Sequence, residues 1–157
     1  HGFSCHVTVL RPASIGTVTL GGADPRMPPV IDPKLLERDE DAQLIVTGAN
    51  MMRRILDAPA LTPYRGRALY EVDQADQQAV LADIRARGDT EYHPGCTCAM
   101  GSDAMAVVDT QLRVHGVGAL RVVDASIMPM MIGGNTNAPT IMIAEKAVDM
   151  IRAGHAR

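Results

Sequence analysis

The stretch Gly133-Gly134-Asn135-Thr136-Asn137-Ala138-Pro139-Thr140-Ile141-Met142-Ile143-Ala144-Glu145-Lys146 decides how this chain is read. It is a polar turn that feeds directly into an apolar helix. The glycines give the turn its freedom, and Asn137 is placed to cap the helix. Pro139 falls near the first helical position, where a missing N–H costs nothing. Such a helix start offers unpaired N–H groups and a positive dipole end to whatever lies in front of it.

Working outward, the spacing predicts a last helix over 138–152 and a buried strand over 120–124 before the turn. From 90 to 118 the pattern is short strands and turns. Gln74 to Arg87 reads as a helix with Val80, Leu81 and Ile84 on one face, ended by Gly88. Asp39 to Leu56 reads as another, with apolar positions Leu44, Ile45, Ala49, Met52 and Ile55. Asp39 or Asp41 is its expected N-cap, and Arg53 and Arg54 suit its C-terminal dipole. Residues 2–10 alternate as a half-buried strand should, and Thr17–Leu20 is a second strand after a turn over 11–16. Residues 21–33, rich in proline, are expected to form a loop. The mixture predicts an α+β chain.

Composition narrows the classes. At 157 residues with 46% hydrophobic content, the chain is one domain's worth of globular sequence. Aromatic residues are only 3%, so the core must be aliphatic and methionine-rich. Fifteen basic against eighteen acidic side chains give a net charge of −3, no reason to expect nucleic acid or an anionic membrane as partner. No apolar run reaches the roughly 18 residues of a membrane span. Three cysteines argue against a disulfide framework and suit a reducing, cytoplasmic setting, with peripheral membrane attachment left open.

Three blocks in order carry a family likeness. They are Tyr92-His93-Pro94-Gly95-Cys96-Thr97-Cys98-Ala99-Met100-Gly101, Val107-Val108-Asp109 through Leu120-Arg121-Val122-Val123-Asp124-Ala125-Ser126, and Gly134-Asn135-Thr136-Asn137-Ala138-Pro139-Thr140. Leu10-Arg11-Pro12-Ala13-Ser14-Ile15-Gly16-Thr17-Val18 fits as well, with Ile15 where Arg is usual. The chain resembles the C-terminal end of the glucose–methanol–choline (GMC) family of flavin oxidoreductases, choline/alcohol dehydrogenase-like. The family's Gly-x-Gly-x-x-Gly turn for the FAD pyrophosphate does not occur in this sequence. Gly116-Val117-Gly118 lacks the third glycine. Beginning at His1, the chain reads as a processed or nicked last third of such an enzyme.

The resemblance implies a substrate-domain antiparallel sheet with helices, plus a C-terminal strand and helix. These complete an FAD-binding domain supplied by another segment or chain. It divides the chain into a substrate-binding portion, 1–92, and an active-site, flavin-facing portion, 93–157. It implies oxidation of a small alcohol CH–OH group to a carbonyl, with hydride transfer to flavin N5 and an electron acceptor left unspecified. His93 is then the catalytic base, for which an imidazole pKa near 6.5 is suited. Asn137, which cannot act as a base, holds the substrate oxygen, and it can also cap the helix. Asp124, Ala125, Asn137, Ala138, Pro139 and Thr140 are the expected flavin neighbours. Asp124 reads equally as a strand-end turn former. The cofactor is FAD, and the partner is the N-terminal FAD-binding half, without which the chain should be inactive.

His93, Cys96 and Cys98, even with Cys5 and His6, make a poor zinc set, and no metal is expected. The family commonly has Gly where Cys96 stands. Met128, Met130 and Met131 read as core packing, with a pocket lining as the alternative. His115 and His155 read as surface or turn residues. Two other readings of the whole remain: a flavin-free binding module, and a lyase using the same pocket.

Overall fold

A computed structural model describes residues 2–155. Its elements are strands β1 (Thr17–Thr19) and β2 (Val30–Asp32), and helices α1 (Asp39–Leu56), α2 (Gln77–Arg87) and α3 (Asn137–His155). Short 3-10 helices cover Pro59–Tyr64 and Ala125–Ile127. β1 and β2 pair as a two-stranded antiparallel sheet. This is a mixed helical chain with a small sheet, as the α+β expectation holds. The chain divides into two compact units, one of residues up to Gly16 with Ile31–Glu91, the other of Thr17–Val30 with Tyr92 onward.

In the first unit α1 packs against α2. Its bounds are those the sequence predicts, and of the predicted apolar positions Ile45, Ala49 and Met52 are half-buried. Ala42 and Val46 are buried, whereas Leu44 and Ile55 are 56% and 59% exposed. Neither Asp39 nor Asp41 caps the helix: Arg38 holds the cap position and makes no side-chain cap bond. Asp41 is instead 4% exposed and turned onto the preceding chain. It accepts from Ala13 N at 2.9 Å, Ser14 N at 2.7 Å and Ser14 Oγ at 2.5 Å. Burial alone raises its pKa. The Ser14 and Ala13 hydrogen bonds and the Arg38 charge outweigh this, so the carboxyl titrates below its ordinary range.

Residues 2–10 form no strand. The alternation survives only in Val7 and Val9, which are half-buried. Val7 seats on α1 at Gly48, where any Cβ would meet Val7 Cγ2 at 2.4 Å. An isolated alternating segment needs a partner edge before it becomes a strand, and here it lies on a helix instead. The α2 helix starts three residues later than predicted, at the Asp76 N-cap, whose carboxylate accepts from Gln78 N and Ala79 N. Gly88 does end α2, but at φ −64°, outside the left-handed region. Its need is space, since a Cβ would lie 2.7 Å from Ile84 O.

The second unit has an aliphatic core of Val108, Leu112, Ile127, Met128, Ile143 and Ala147. Ile143, Ala147 and half-buried Met150 repeat at helical spacing, so α3 lays one stripe on this core. The region 90–118 is turns and isolated bridges, joining Met100 to Val108 and Val108 to Val114. Leu112 enters the core at φ +64° from the turn that Asp109 organises. Asp109 is held at about 2, first by the Arg113 backbone N–H, against the opposing desolvation, and then by the Arg113 side chain and Gln111 N–H.

The predicted strand 120–124 is absent. Only Arg121 bridges, to Arg113, while Leu120 is 49% exposed and Asp124 is exposed. Likewise the loop 21–33 is interrupted by β2. Both differences have one cause: strand state depends on a neighbouring edge, which local pattern does not specify. Among the described residues, no helix is long and apolar enough to cross a membrane.

Candidate active site

The His93 loop is fixed from both ends. Tyr92 and Cys96 take left-handed φ values of +58° and +71°, unusual for side-chain-bearing residues. Pro94 restricts the backbone between them. Gly95 allows close approach, because a Cβ there would lie 3.0 Å from Met131 Sδ and 3.1 Å from Ala125 O. The chain beyond is clasped to the 3-10 turn. Cys96 N, Cys98 N and Met100 N donate to the carbonyls of Ala125, Ser126 and Ile127 at 3.4, 2.9 and 2.9 Å. Cys96 thus sits at a left-handed position, where glycine is the least strained residue, and burial pushes its thiol pKa up.

His93 itself is exposed, and its Nδ1 lies 3.0 Å from Thr136 Oγ1. Thr136 is only 8% exposed. Its carbonyl accepts from Thr140 N at 3.0 Å and Thr140 Oγ1 at 2.7 Å. The first intrahelical bond of α3 therefore ends on Thr136, which makes Thr136 the N-cap and Asn137 the first helical residue. The sequence reading put Asn137 at the cap, one residue late. Pro139 is then third in the helix, still inside the tolerated first turn. Asn137 and Ala138 are exposed, and Pro139 and Thr140 half-buried.

The hydrogen bond to Thr136 brings His93 to the residue immediately before Asn137, across a sequence gap that no local pattern spans. Thr136 is the contact to His93 that sequence reasoning missed. Its signal was available: a threonine one position before a Pro-containing helix start.

Asp124 stands apart in role. It precedes the 3-10 turn and accepts from Ser126 N at 2.8 Å through Oδ1, which is turn-forming geometry. Ala125 is half-buried in the same turn. Met128 is in the core and Met131 packs at Gly95, whereas Met130 is 73% exposed. His115 is exposed, with Nε2 3.3 Å from Gly101 O. The side chain of His155 lies outside the described residues. Arg113 pairs with Asp109, and Arg121 donates to Gln111 O. Cys5, Cys96 and Cys98 are free. Among the described residues no three His, Cys, Asp or Glu side chains converge.

A family model described as GMC oxidoreductase matches residues 12–144. The chain belongs to the GMC oxidoreductase family. It is 51% identical over 153 residues to an oxygen-dependent choline dehydrogenase of Xanthomonas campestris pv. campestris, covering 97% of this chain and 28% of that relative. Among solved structures it is similar to pyridoxine 4-oxidase from Mesorbium loti, with a TM-score of 0.84 and 32% identity over 93% of this chain and 28% of the other. An FAD-dependent oxidoreductase from Chaetomium thermophilum gives a TM-score of 0.85 and 29% identity, over 94% and 26%. The chain thus spans about a quarter of the length of the GMC relatives it matches.

Proposed function

We propose that this chain is the base-bearing, C-terminal portion of an FAD-dependent alcohol oxidoreductase. The observation that carries the reading is the bond from Thr136 to His93, which joins the imidazole to the start of α3. His93 takes the hydroxyl proton of the alcohol, and Asn137 donates to the oxygen as it gains charge. Bound FAD supplies the acceptor for the hydride that leaves the carbinol carbon.

The residues present suit that cofactor. Asn137 N and Ala138 N precede the first helical repeat and have no intrahelical acceptor, so α3 offers two N–H groups and a positive dipole end. These favour a ring system that gains negative charge. We assign flavin contacts to Asn137, Ala138, Pro139 and Thr140, and ribityl or phosphate contacts to Asp124 and Ala125. On the same reading, residues 1–92 shape the substrate side and 93–157 face the flavin.

The partner is the N-terminal FAD-binding half, on the same polypeptide or another. Two features support this: the chain's quarter share of its relatives' length, and its bare apolar side chains. Leu20, Ile15 and Ile31 are 88%, 80% and 66% exposed. The C-terminal strand expected to complete the flavin domain is formed, on this reading, only against that half. The chain alone should not turn over. Free cysteines fit a reducing, cytoplasmic setting. A choline-class alcohol is the first substrate to assay, given the choline dehydrogenase likeness.

The test is a visible spectrum and turnover assay on the complete enzyme, parent against His93→Ala. Flavin absorption in both, bleaching by alcohol in the parent, and a turnover loss of roughly 10²–10⁴-fold in the variant are expected. Near-parental turnover by His93→Ala removes the base. A colourless parent favours a flavin-free module, and flavin that never bleaches during carbon–carbon cleavage favours a lyase.

A further inference from the structure

We propose that Thr136 is a positioning residue that selects the reactive tautomer of His93: its hydroxyl accepts from Nδ1–H and leaves Nε2 unprotonated. This rests on the reading of His93 as the base.

A threonine at a helix N-cap ordinarily turns its hydroxyl oxygen toward the N–H of the second or third helical residue. Here the third helical residue is Pro139, which has no N–H. The Thr136 hydroxyl is recorded against His93 Nδ1 instead, at 3.0 Å. Its backbone cannot drift, because its carbonyl is held by both Thr140 N and Thr140 Oγ1. Its side chain is 92% covered with the rest of the residue, while the imidazole it meets is exposed. A fixed, shielded hydroxyl thus meets one edge of an accessible ring.

The two orientations of this bond are chemically unequal. If the hydroxyl donates to Nδ1, the ring hydrogen sits on Nε2, and the open edge is a donor that cannot take a proton. If the hydroxyl accepts from Nδ1–H, the open edge carries a lone pair. A base must also hold its place after it gains the proton. The imidazolium bears hydrogens on both nitrogens, so only the accepting orientation persists from the neutral to the charged ring. The substrate hydroxyl proton moves to Nε2, and the Nδ1–H···Oγ1 bond stays as it was.

The experiment uses the complete flavin-loaded enzyme with Thr136→Val, Thr136→Ser and His93→Ala, assayed with the alcohol it oxidises. Thr136→Val keeps the branched shape and removes the hydroxyl. It should lower kcat roughly 10–100-fold with KM changed less than about threefold and flavin content unchanged. Thr136→Ser should restore kcat to within about threefold of the parent. Selective ¹⁵N-histidine spectra of the parent should show His93 with hydrogen on Nδ1.

Parental kcat in Thr136→Val, with His93→Ala inactive, overturns the role of Thr136 and leaves the base standing. An active His93→Ala overturns both. A parent spectrum with hydrogen on Nε2 overturns the tautomer assignment whatever the variants do, including a valine variant that does not fold.

Discussion

Replacing Asp41 by alanine should release residues 13 and 14 from α1. The carboxylate is 4% exposed and serves three donors, from Ala13 N, Ser14 N and Ser14 Oγ. Ser14 Oγ in turn accepts from Arg38 N at 3.1 Å, so the truncation unties the approach to the helix as well. A hydrogen bond to a charged group contributes about 1.5–3 kcal/mol, but three bonds to one carboxylate are not additive and its desolvation works against them. A net loss of about 3 kcal/mol follows, about 150-fold in the local opening equilibrium. Hydrogen exchange on the complete protein, followed in peptides covering 11–16, reads this directly. The Ala13 and Ser14 amides should exchange about 100-fold faster in Asp41→Ala, with Asp41→Asn between, since it keeps one acceptor oxygen. Equal exchange in parent and Asp41→Ala would refute the claim that the carboxylate holds this segment.

Three further outcomes follow from the geometry. Cys96 sits at φ +71°, so Cys96→Val should destabilise by about 2 kcal/mol or more while Cys96→Gly folds normally, as thermal melting of the two variants would show. Val108 is fully buried, and Val108→Ala should cost about 2 kcal/mol through the cavity it leaves; a melting temperature equal to the parent's contradicts the core assignment. Asp41 titrates below its ordinary value when folded, so its stabilisation is complete above the unfolded carboxyl pKa and lost as pH falls through the folded one. Acid titration of the parent should therefore show a loss of 11–16 protection below about pH 4 that Asp41→Asn lacks.

The sequence was most informative where structure is local. The bounds of α1 and, to within one residue, the start of α3 were legible because helical spacing, acidic first turns and proline placement act within a few residues. The most deeply buried positions of α1, Ala42 and Val46, were not, since Leu44 is as apolar as Val46 and only packing by segments such as Val7 and α2 separates them. The segments 2–10 and 120–124 have strand patterns and no strand, for want of an edge to pair with. Asp41 had the composition of a helix cap, yet Ser14 and Ala13, far back in the chain, claimed its carboxylate.

The same division holds for the candidate site. His93 and Asn137 were singled out by the motifs that carry the family resemblance, and the turn before α3 by its glycines, polar residues and proline, all of which a sequence spells out. Tertiary structure decided how His93 is held. The left-handed backbone at Tyr92 and Cys96 is set locally, but the Gly95 contact with Ala125 and the Thr136 hydroxyl bring together segments far apart in sequence, the latter across 43 residues. The physical reason is that chemistry resides in side chains, which the sequence lists, whereas orientation resides in long-range packing and hydrogen bonds, which only the folded chain supplies.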